Sequence, residues 1–373
     1  MARQRKILLY VHALTGGGAE RVWALLASGL SRRGHDVLLV TDFNASANAP
    51  YIDPAVRQVV LGGGHLTTIH RLARLMREEQ PDINMAALSL SNLKLGLAAM
   101  LAGQLSRSIV TYHGYTDTEP QLLSRLGYLS TPLLSRLTAA TVCVSDGLLD
   151  YVVKRFFAPA ARTLRIYNPV VSSGSHEREP LPLAQRPAIV LASGRMISYK
   201  NFPALIRAFA KVKPLDARLR ILGEGPEMET IRREIDRLGL QSRVELLGYQ
   251  PQPWIQYEEA RCFALPSAKE PFGLVLVEAL AHGLPVVATD CHGPREILTD
   301  GIGTVVAQGD EDALAQAITD ALANPGDPEP RRQHARRFSL DAGLDQYEAL
   351  FESVISRRTA TPRAGSRLTL PQT

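Results

Sequence analysis

The feature that most restricts this chain is a sustained alternation of short apolar runs with longer amphipathic stretches. "KILLYVH" (6–12), "HDVLLVTD" (35–42), "RQVVL" (57–61), "SIVTYH" (108–113), "ATVCVS" (140–145) and "TLRIYN" (163–168) have strand length and strand composition. Between them lie helical patterns such as "AERVWALLASGLSRRG" (19–34), stopped by Gly34, and "TIHRLARLMREEQ" (68–80). Strands that alternate with helices in this way build parallel sheets covered by helices. The pattern breaks at "NPVVSSGSHEREPLPLAQRP" (168–187), rich in Pro, Ser and charge, which reads as a linker. It then restarts with "AIVLASG" (188–194), "RLRILG" (218–223), "RVELLG" (243–248), "RCFALP" (261–266), "LPVVATD" (284–290) and "GTVV" (303–306). A length of 373 residues is too great for one ordinary core. We therefore expect an α/β chain with two doubly wound domains, residues 1–170 and 171–340, then a terminal helix over 341–358 and a disordered tail over 359–373. Ligands of such sheets bind beyond the carboxyl ends of the strands, so loops after strands in both halves are expected to line a cleft.

Charge is unevenly spread. Residues 1–172 carry 18 Lys and Arg against 11 Asp and Glu, a net +7, whereas residues 173–373 carry 24 against 26, a net −2. A basic first half suits an anionic partner such as a membrane surface or a phosphorylated acceptor, or is simply a solvated basic face. No arginine-aromatic motif or nucleic-acid module accompanies it, so nucleic acid is not an expected partner. Cys143, Cys262 and Cys291 are scattered and odd in number, which fits neither a disulfide framework nor a zinc site. The amino-terminal apolar run is too short for a signal peptide, and "LKLGLAAMLAGQL" is too short to span a bilayer, so the expectation is a soluble cytoplasmic protein.

Several constellations carry chemistry. In "KEPFGLVLVEALAHGLPVVATD" (269–290), Glu270 and Glu278 stand eight positions apart around the start of an apolar helix that Gly283 and Pro285 close. Backbone N–H groups near Phe272, Gly273, Leu274 and Val275 would be free at the helix entrance and can bind phosphate without a cationic side chain. Glu270 could accept from sugar hydroxyls, and Glu278, costly to bury unpaired, could take a ribose diol. The bland alternative is a capping Glu270 and a structural Glu278. In "SGRMISYKN", Arg195 and Lys200 could hold a diphosphate and stabilise it as it leaves. In "LGEGPEM", Gly223 and Gly225 flank Glu224 at what is, taken alone, a strand-to-helix turn. In "TYHGY", His113 ends a strand and could donate to a sugar or phosphate, or be an ordinary structural histidine. "ALTGGGAERV" opens a helix whose amino end favours anions. Arg21 stands where a dinucleotide fingerprint needs its third glycine, yet Asp42 ends the second strand, the place of a ribose-binding acid in such a fingerprint, which keeps a dehydrogenase reading open. The second triplet, Gly62 to Gly64, reads as a tight turn without a ligand.

Taken together these motifs resemble the retaining GT-B glycosyltransferases, specifically family GT4: the Glu-x7-Glu stretch, "SGRMISYKN", "GEGPE", "CHGPREIL" and "GGGAERV" stand in the family's order. The resemblance implies two Rossmann-like domains facing a cleft and a nucleotide-sugar donor held mainly by the second. Arg195 and Lys200 would take the diphosphate, Glu278 the ribose and Glu270 the donor sugar. Glu224 belongs to the same motif set, Gly248 would lie by the base, and Gly17, Gly18 and His113 would complete the site from the first domain. The terminal helix would cross back to that domain. Retention would follow a front-face displacement in which the donor phosphate deprotonates the incoming hydroxyl. No cofactor is implied beyond the donor, and we read neither an Asp-x-Asp motif nor a metal-ligand cluster. "GGGAERV" is similar to bacterial members that extend lipid-linked or surface polysaccharides, so the expected donor is a UDP-hexose or UDP-N-acetylhexosamine. "LLSRLGYLSTPLLSRL" (122–137) would then be an amphipathic surface at the inner membrane, or else a pair of ordinary core helices. The alternatives are a GT-B-type nucleotide-sugar epimerase and a non-catalytic nucleotide-binding protein.

Overall fold

The computed structural model describes residues 3–45, 47–118, 122–170, 181–250, 252–299 and 301–359. They fall into two units, one within Met1–Pro169 and Leu340–Thr373, the other within Val170–Ser339. Half of the expected linker, residues 171–180, and all of the expected disordered tail beyond residue 359 lie outside the described residues.

In the first unit seven parallel strands form one sheet: β1 (Lys6–Val11), β2 (Asp36–Thr41), β3 (Arg57–Val60), β4 (Ile83–Ala87), β5 (Ser108–Tyr112), β6 (Ala140–Cys143) and β7 (Thr163–Arg165). Their order is β3-β2-β1-β4-β5-β6-β7, with Leu8 of β1 opposite Leu38 on one side and Asn84 on the other. Strand β4 is absent from the sequence reading. "INMAA" has one β-branched residue and runs almost directly into the helix Ser89–Ala102, so its apolar run reads as part of that helix. All five of its residues are buried, as suits the strand between β1 and β5. One face packs Leu8, Tyr10, Leu38 and Val40 against Leu72, Met76 and Leu95 of the covering helices.

The terminal helix, Leu340–Thr359, belongs to this unit. Gly29 makes room for it: a Cβ there would stand 2.7 Å from Leu344 Cδ1. Arg33 reaches Asp345 at 2.6 Å and Glu348 at 2.8 Å, and Arg5 reaches Glu352 at 2.7 Å. Tyr347, Leu350, Phe351 and Val354 are buried.

The second unit carries six parallel strands, β8 (Ile189–Ser193), β9 (Arg218–Leu222), β10 (Val244–Gly248), β11 (Cys262–Leu265), β12 (Val286–Thr289) and β13 (Thr304–Val306), in the order β10-β9-β8-β11-β12-β13. Val190, Ala192, Ile221 and Ala264 pack with Phe202, Leu205, Phe209 and Ile318. Strand order reverses between β1 and β4 in one sheet and between β8 and β11 in the other. Loops leaving neighbouring strands diverge there and open a crevice at the sheet's carboxyl edge.

Candidate active site

In the second unit the loops after β8 and β11, on either side of the switch point, carry the residues singled out above. The β8 loop is strapped to the β9 loop. Met196 N–H donates to Glu224 O at 2.8 Å and Glu227 N–H to Met196 O at 3.0 Å. Gly223 permits this approach: it has φ 119°, and a Cβ would lie 2.1 Å from Gly194 O. The loop ends on Lys200, whose Nζ is bonded to Glu270 Oε2 of the β11 loop. Ala268 N–H donates to Tyr199 O at 2.8 Å, which ties the two loops together beside that pair. Glu270 is only 7% exposed. Its second contact on the same oxygen is Ser267 Oγ at 3.4 Å, and its own carbonyl accepts from Gly293 N–H at 3.0 Å. The buried thiol of Cys291 nearby is pushed up to about 12 by burial, so it is a neutral neighbour.

The helix Leu274–Ala281 begins on Gly273, whose φ of 109° lets the chain turn into the helix without a side-chain cap. Glu270 is therefore no cap. Leu276 and Val277 N–H turn back to Gly273 O, at 2.9 and 3.4 Å. The N–H groups of Gly273, Leu274 and Val275 have no acceptor among the described residues. Phe272 is buried edge-on against Phe338. Glu278, half-buried one turn into the helix, accepts from Tyr257 OH at 2.9 Å. Tyr257 is itself held between Phe263 and His282. Arg195 is exposed and its guanidinium has no partner among the described residues. Glu224 is exposed too, with Oε1 accepting from Tyr249 N–H at 3.3 Å beside Gly248. The structure thus brings Lys200, Glu270 and the helix entrance into one cluster. Tyr257 and Ser267 are additions to it that sequence reading missed, since neither stands in a recognisable motif.

In the first unit, Gly17 precedes the helix Gly18–Arg32 and Gly18 opens it. The carboxylate of Glu20 folds back over this entrance, bonded to Thr15 Oγ1 at 2.9 Å, so the anion at this helix end is the chain's own. His113, just past β5, bonds Thr111 Oγ1 at 3.0 Å and meets the buried Trp23 edge-on. Burial lowers its imidazole to about 4, with Asn168 opposing. Asp42 corrects the dehydrogenase reading. It is fully buried, and its oxygens are taken by Tyr10 OH (2.7 Å), His12 Nδ1 (2.6 Å) and Lys94 Nζ, leaving nothing to hold a ribose. Gly62 to Gly64 is a turn closed by Arg71 on Leu61 O and Gly62 O. The expectation of no Asp-x-Asp sequence is also corrected. Asp310-Glu311-Asp312 has that form, but it starts a helix: Asp310 accepts from Ala313 N–H at 2.8 Å, and Glu311 and Asp312 pair with Arg207 and Lys211.

In the second unit, a cation–acid pair set beside an open helix entrance at the sheet edge is an arrangement able to hold a phosphorylated ligand. Two family descriptions match the sequence: Glycosyl transferases group 1 over residues 175–338, and Glycosyltransferase Family 4 over residues 16–173. The exopolysaccharide phosphotransferase SCO2592 of Streptomyces coelicolor is 33% identical over 65% of this chain, which spans about a quarter, 26%, of that relative's length. The lipopolysaccharide core biosynthesis glycosyltransferase LpsD of Rhizobium meliloti is 27% identical over 94% of this chain and 99% of its own length. Among solved structures, HepE of Anabaena in complex with UDP and glucose superposes with a TM-score of 0.78 at 20% identity, covering 94% of this chain and 100% of that one. The chain belongs to glycosyltransferase family 4, has the GT-B fold, and is a glycosyltransferase.

Proposed function

We propose that this protein is a retaining transferase that moves a hexose or N-acetylhexosamine from a UDP-linked donor to a lipid-linked or surface-polysaccharide acceptor. The observation that carries the reading is the Lys200–Glu270 pair beside the uncapped entrance of the helix Leu274–Ala281. A diphosphate laid on that entrance meets three free N–H groups. It draws Lys200 away from Glu270, and Arg195 closes on it from solvent. Released from the lysine, Glu270 accepts from hydroxyls of the donor sugar, while Glu278, aimed by Tyr257, takes the ribose. Glu224 and Gly248 flank the base. As the bond between anomeric carbon and phosphate oxygen breaks, the growing charge on the diphosphate falls on Lys200, Arg195 and the helix end. The leaving phosphate takes the proton of the incoming hydroxyl on the same face, which retains configuration. We assign to Gly17, Gly18 and His113 of the first unit a supporting part in this reaction. HepE, solved with UDP and glucose, supports the choice of donor, and LpsD, named for lipopolysaccharide core biosynthesis, the choice of acceptor.

Contact with the inner membrane is part of the proposal. On the helices Leu122–Leu129 and Thr131–Leu137, Leu122, Leu129 and Leu133 are 71%, 70% and 61% exposed, and Leu123, Leu126 and Leu137 are exposed beside them. Six leucines facing water across 16 residues, with Arg125 and Arg136 exposed among them, suit an anionic lipid surface better than a core. No helix among the described residues is long and apolar enough to cross a membrane. The test is a screen of nucleotide sugars for thermal stabilisation, followed by transfer of the labelled sugar into a bacterial lipid extract. The parent chain should transfer from a UDP-sugar, and Glu270→Ala should lose at least a hundredfold while still unfolding cooperatively in a thermal melt, at a lower temperature because Lys200 loses its counter-ion. Equal transfer by Glu270→Ala, or stabilisation by no nucleotide sugar, refutes the proposal.

A further inference from the structure

The network around Asp42 belongs to the first unit, and none of the roles above uses it. His12 follows β1, and its N–H donates to Ser91 Oγ at 3.1 Å on the helix that follows β4, so it sits at the first unit's own switch point. Its ring is about one-third exposed, 33%, although its partner Asp42 is wholly buried. Burial pushes the Asp42 carboxyl up, but hydrogen bonds from His12, Lys94 and Tyr10 outweigh it and hold the group below its ordinary range. Asp42 is therefore ionised at neutral pH and can only accept. Nδ1 of His12 must then carry a hydrogen, and in the neutral ring Nε2 is left as a bare acceptor directed away from Asp42. Two further rings stand beside it. Phe43, 48% exposed, meets His12 edge-on at 5.1 Å, and the exposed His65 lies nearly parallel at 6.3 Å. Lys94 is matched by Asp42 and is 2% exposed, so the surface offers no free cation for a phosphate.

We propose that His12, Phe43 and His65 form a saccharide subsite of the first unit, in which Nε2 of His12 accepts a hydroxyl hydrogen and the two neighbouring rings pack against the sugar's C–H face. A rigid acceptor beside exposed aromatic surface is what a neutral polyhydroxyl ligand requires, and a matched lysine argues against an anionic one. Asp42 and Lys94 are positioning residues that fix the ring's tautomer from below. Partial desolvation, more than the adjacent Lys94, lowers the His65 imidazole below its ordinary value against the pull of Asp42, in keeping with an uncharged ligand. The subsite rests on the transferase reading, as the place where the acceptor's saccharide is gripped.

The test uses full-length protein labelled with 15N-histidine. Long-range proton–nitrogen spectra should show His12 as the Nδ1–H tautomer. Titration with methyl glucosides, methyl galactosides and methyl N-acetylglucosaminides should move its Nε2 resonance saturably for at least one sugar, and Phe43→Ala should abolish the shift. His12→Asn keeps a donor towards Asp42 but lacks Nε2. With the same glycosides as acceptors its KM should rise at least tenfold, UDP affinity and melting temperature being unchanged, and His12→Gln should recover part of the loss. An Nε2–H tautomer, no saturable shift with any of these sugars, or an unchanged acceptor KM in both His12→Asn and Phe43→Ala overturns the subsite. Failure of the parent chain to use any nucleotide sugar sinks the transferase reading instead, while the resonance shifts still decide the subsite.

Discussion

Gly293 is the most informative single perturbation of the proposed donor site. It lies in the short helix His292–Ile297, and its N–H holds the Glu270 carbonyl at 3.0 Å. An added Cβ would stand 2.0 Å from Phe272 O and 2.9 Å from Glu270 O, and both obstacles are backbone. Ordinary contact begins near 3.4 Å, so Gly293→Ala must move the segment carrying Glu270, Phe272 and Gly273 by about 1 Å or break the hydrogen bond that holds it. A displacement of that size at a reacting centre costs on the order of a hundredfold in rate. The lost hydrogen bond and the strain cost about 2 kcal/mol in stability, far short of unfolding a chain this size. The assay is sugar transfer at saturating donor, together with a thermal melt. Gly16→Ala is the control, because nothing stands within 4 Å of its Cβ. Transfer by Gly293→Ala within threefold of the parent would refute the claim that this turn sets the position of Glu270. So would an equal loss in Gly16→Ala.

Three other outcomes follow from the structure. Asp42→Asn leaves Lys94 buried without its counter-ion, so urea unfolding should show a loss of about 3–5 kcal/mol, and a loss under 1 kcal/mol counts against a buried ion pair. His113 is depressed from an ordinary 6.5 to about 4, so the unfolded chain binds its proton first as pH falls. Its contribution is whole above pH 6.5 and is lost on the way down to pH 4, roughly 3 kcal/mol in all; His113→Asn should flatten that part of the stability profile, and an unaltered slope contradicts the assignment. The pair Leu129→Glu and Leu133→Glu removes two exposed leucines, each worth at most about 1.5–3 kcal/mol on burial. Binding to vesicles containing phosphatidylglycerol should therefore drop more than tenfold in a sedimentation assay, and undiminished binding excludes this face as the membrane contact.

Much of the fold was legible along the chain, because apolar period and glycine or proline punctuation are local properties. Twelve strands, the break near residue 170 and the terminal helix could be read that way. The strand Ile83–Ala87 could not, because its burial comes from neighbours 76 residues back and 24 residues ahead, such as Ile7 opposite Ile83 and Ser108 opposite Asn84, rather than from its own pattern. The residues of the proposed donor site stood out for a similar reason: the spacing of Glu270 and Glu278 around a glycine-led helix start is local. What those acids touch was not. Lys200 reaches Glu270 across 70 positions and Tyr257 reaches Glu278 across 21. Asp42 looked available for a ribose until three donors, one of them 52 positions away, were found on it. The leucines of 122–137 have a composition that suits a core or a lipid surface equally. Sequence alone determines which groups are present and where the backbone turns. Only the packed chain decides which charges are already matched, which donors remain open and which apolar faces meet solvent, since each depends on distances between residues far apart in sequence.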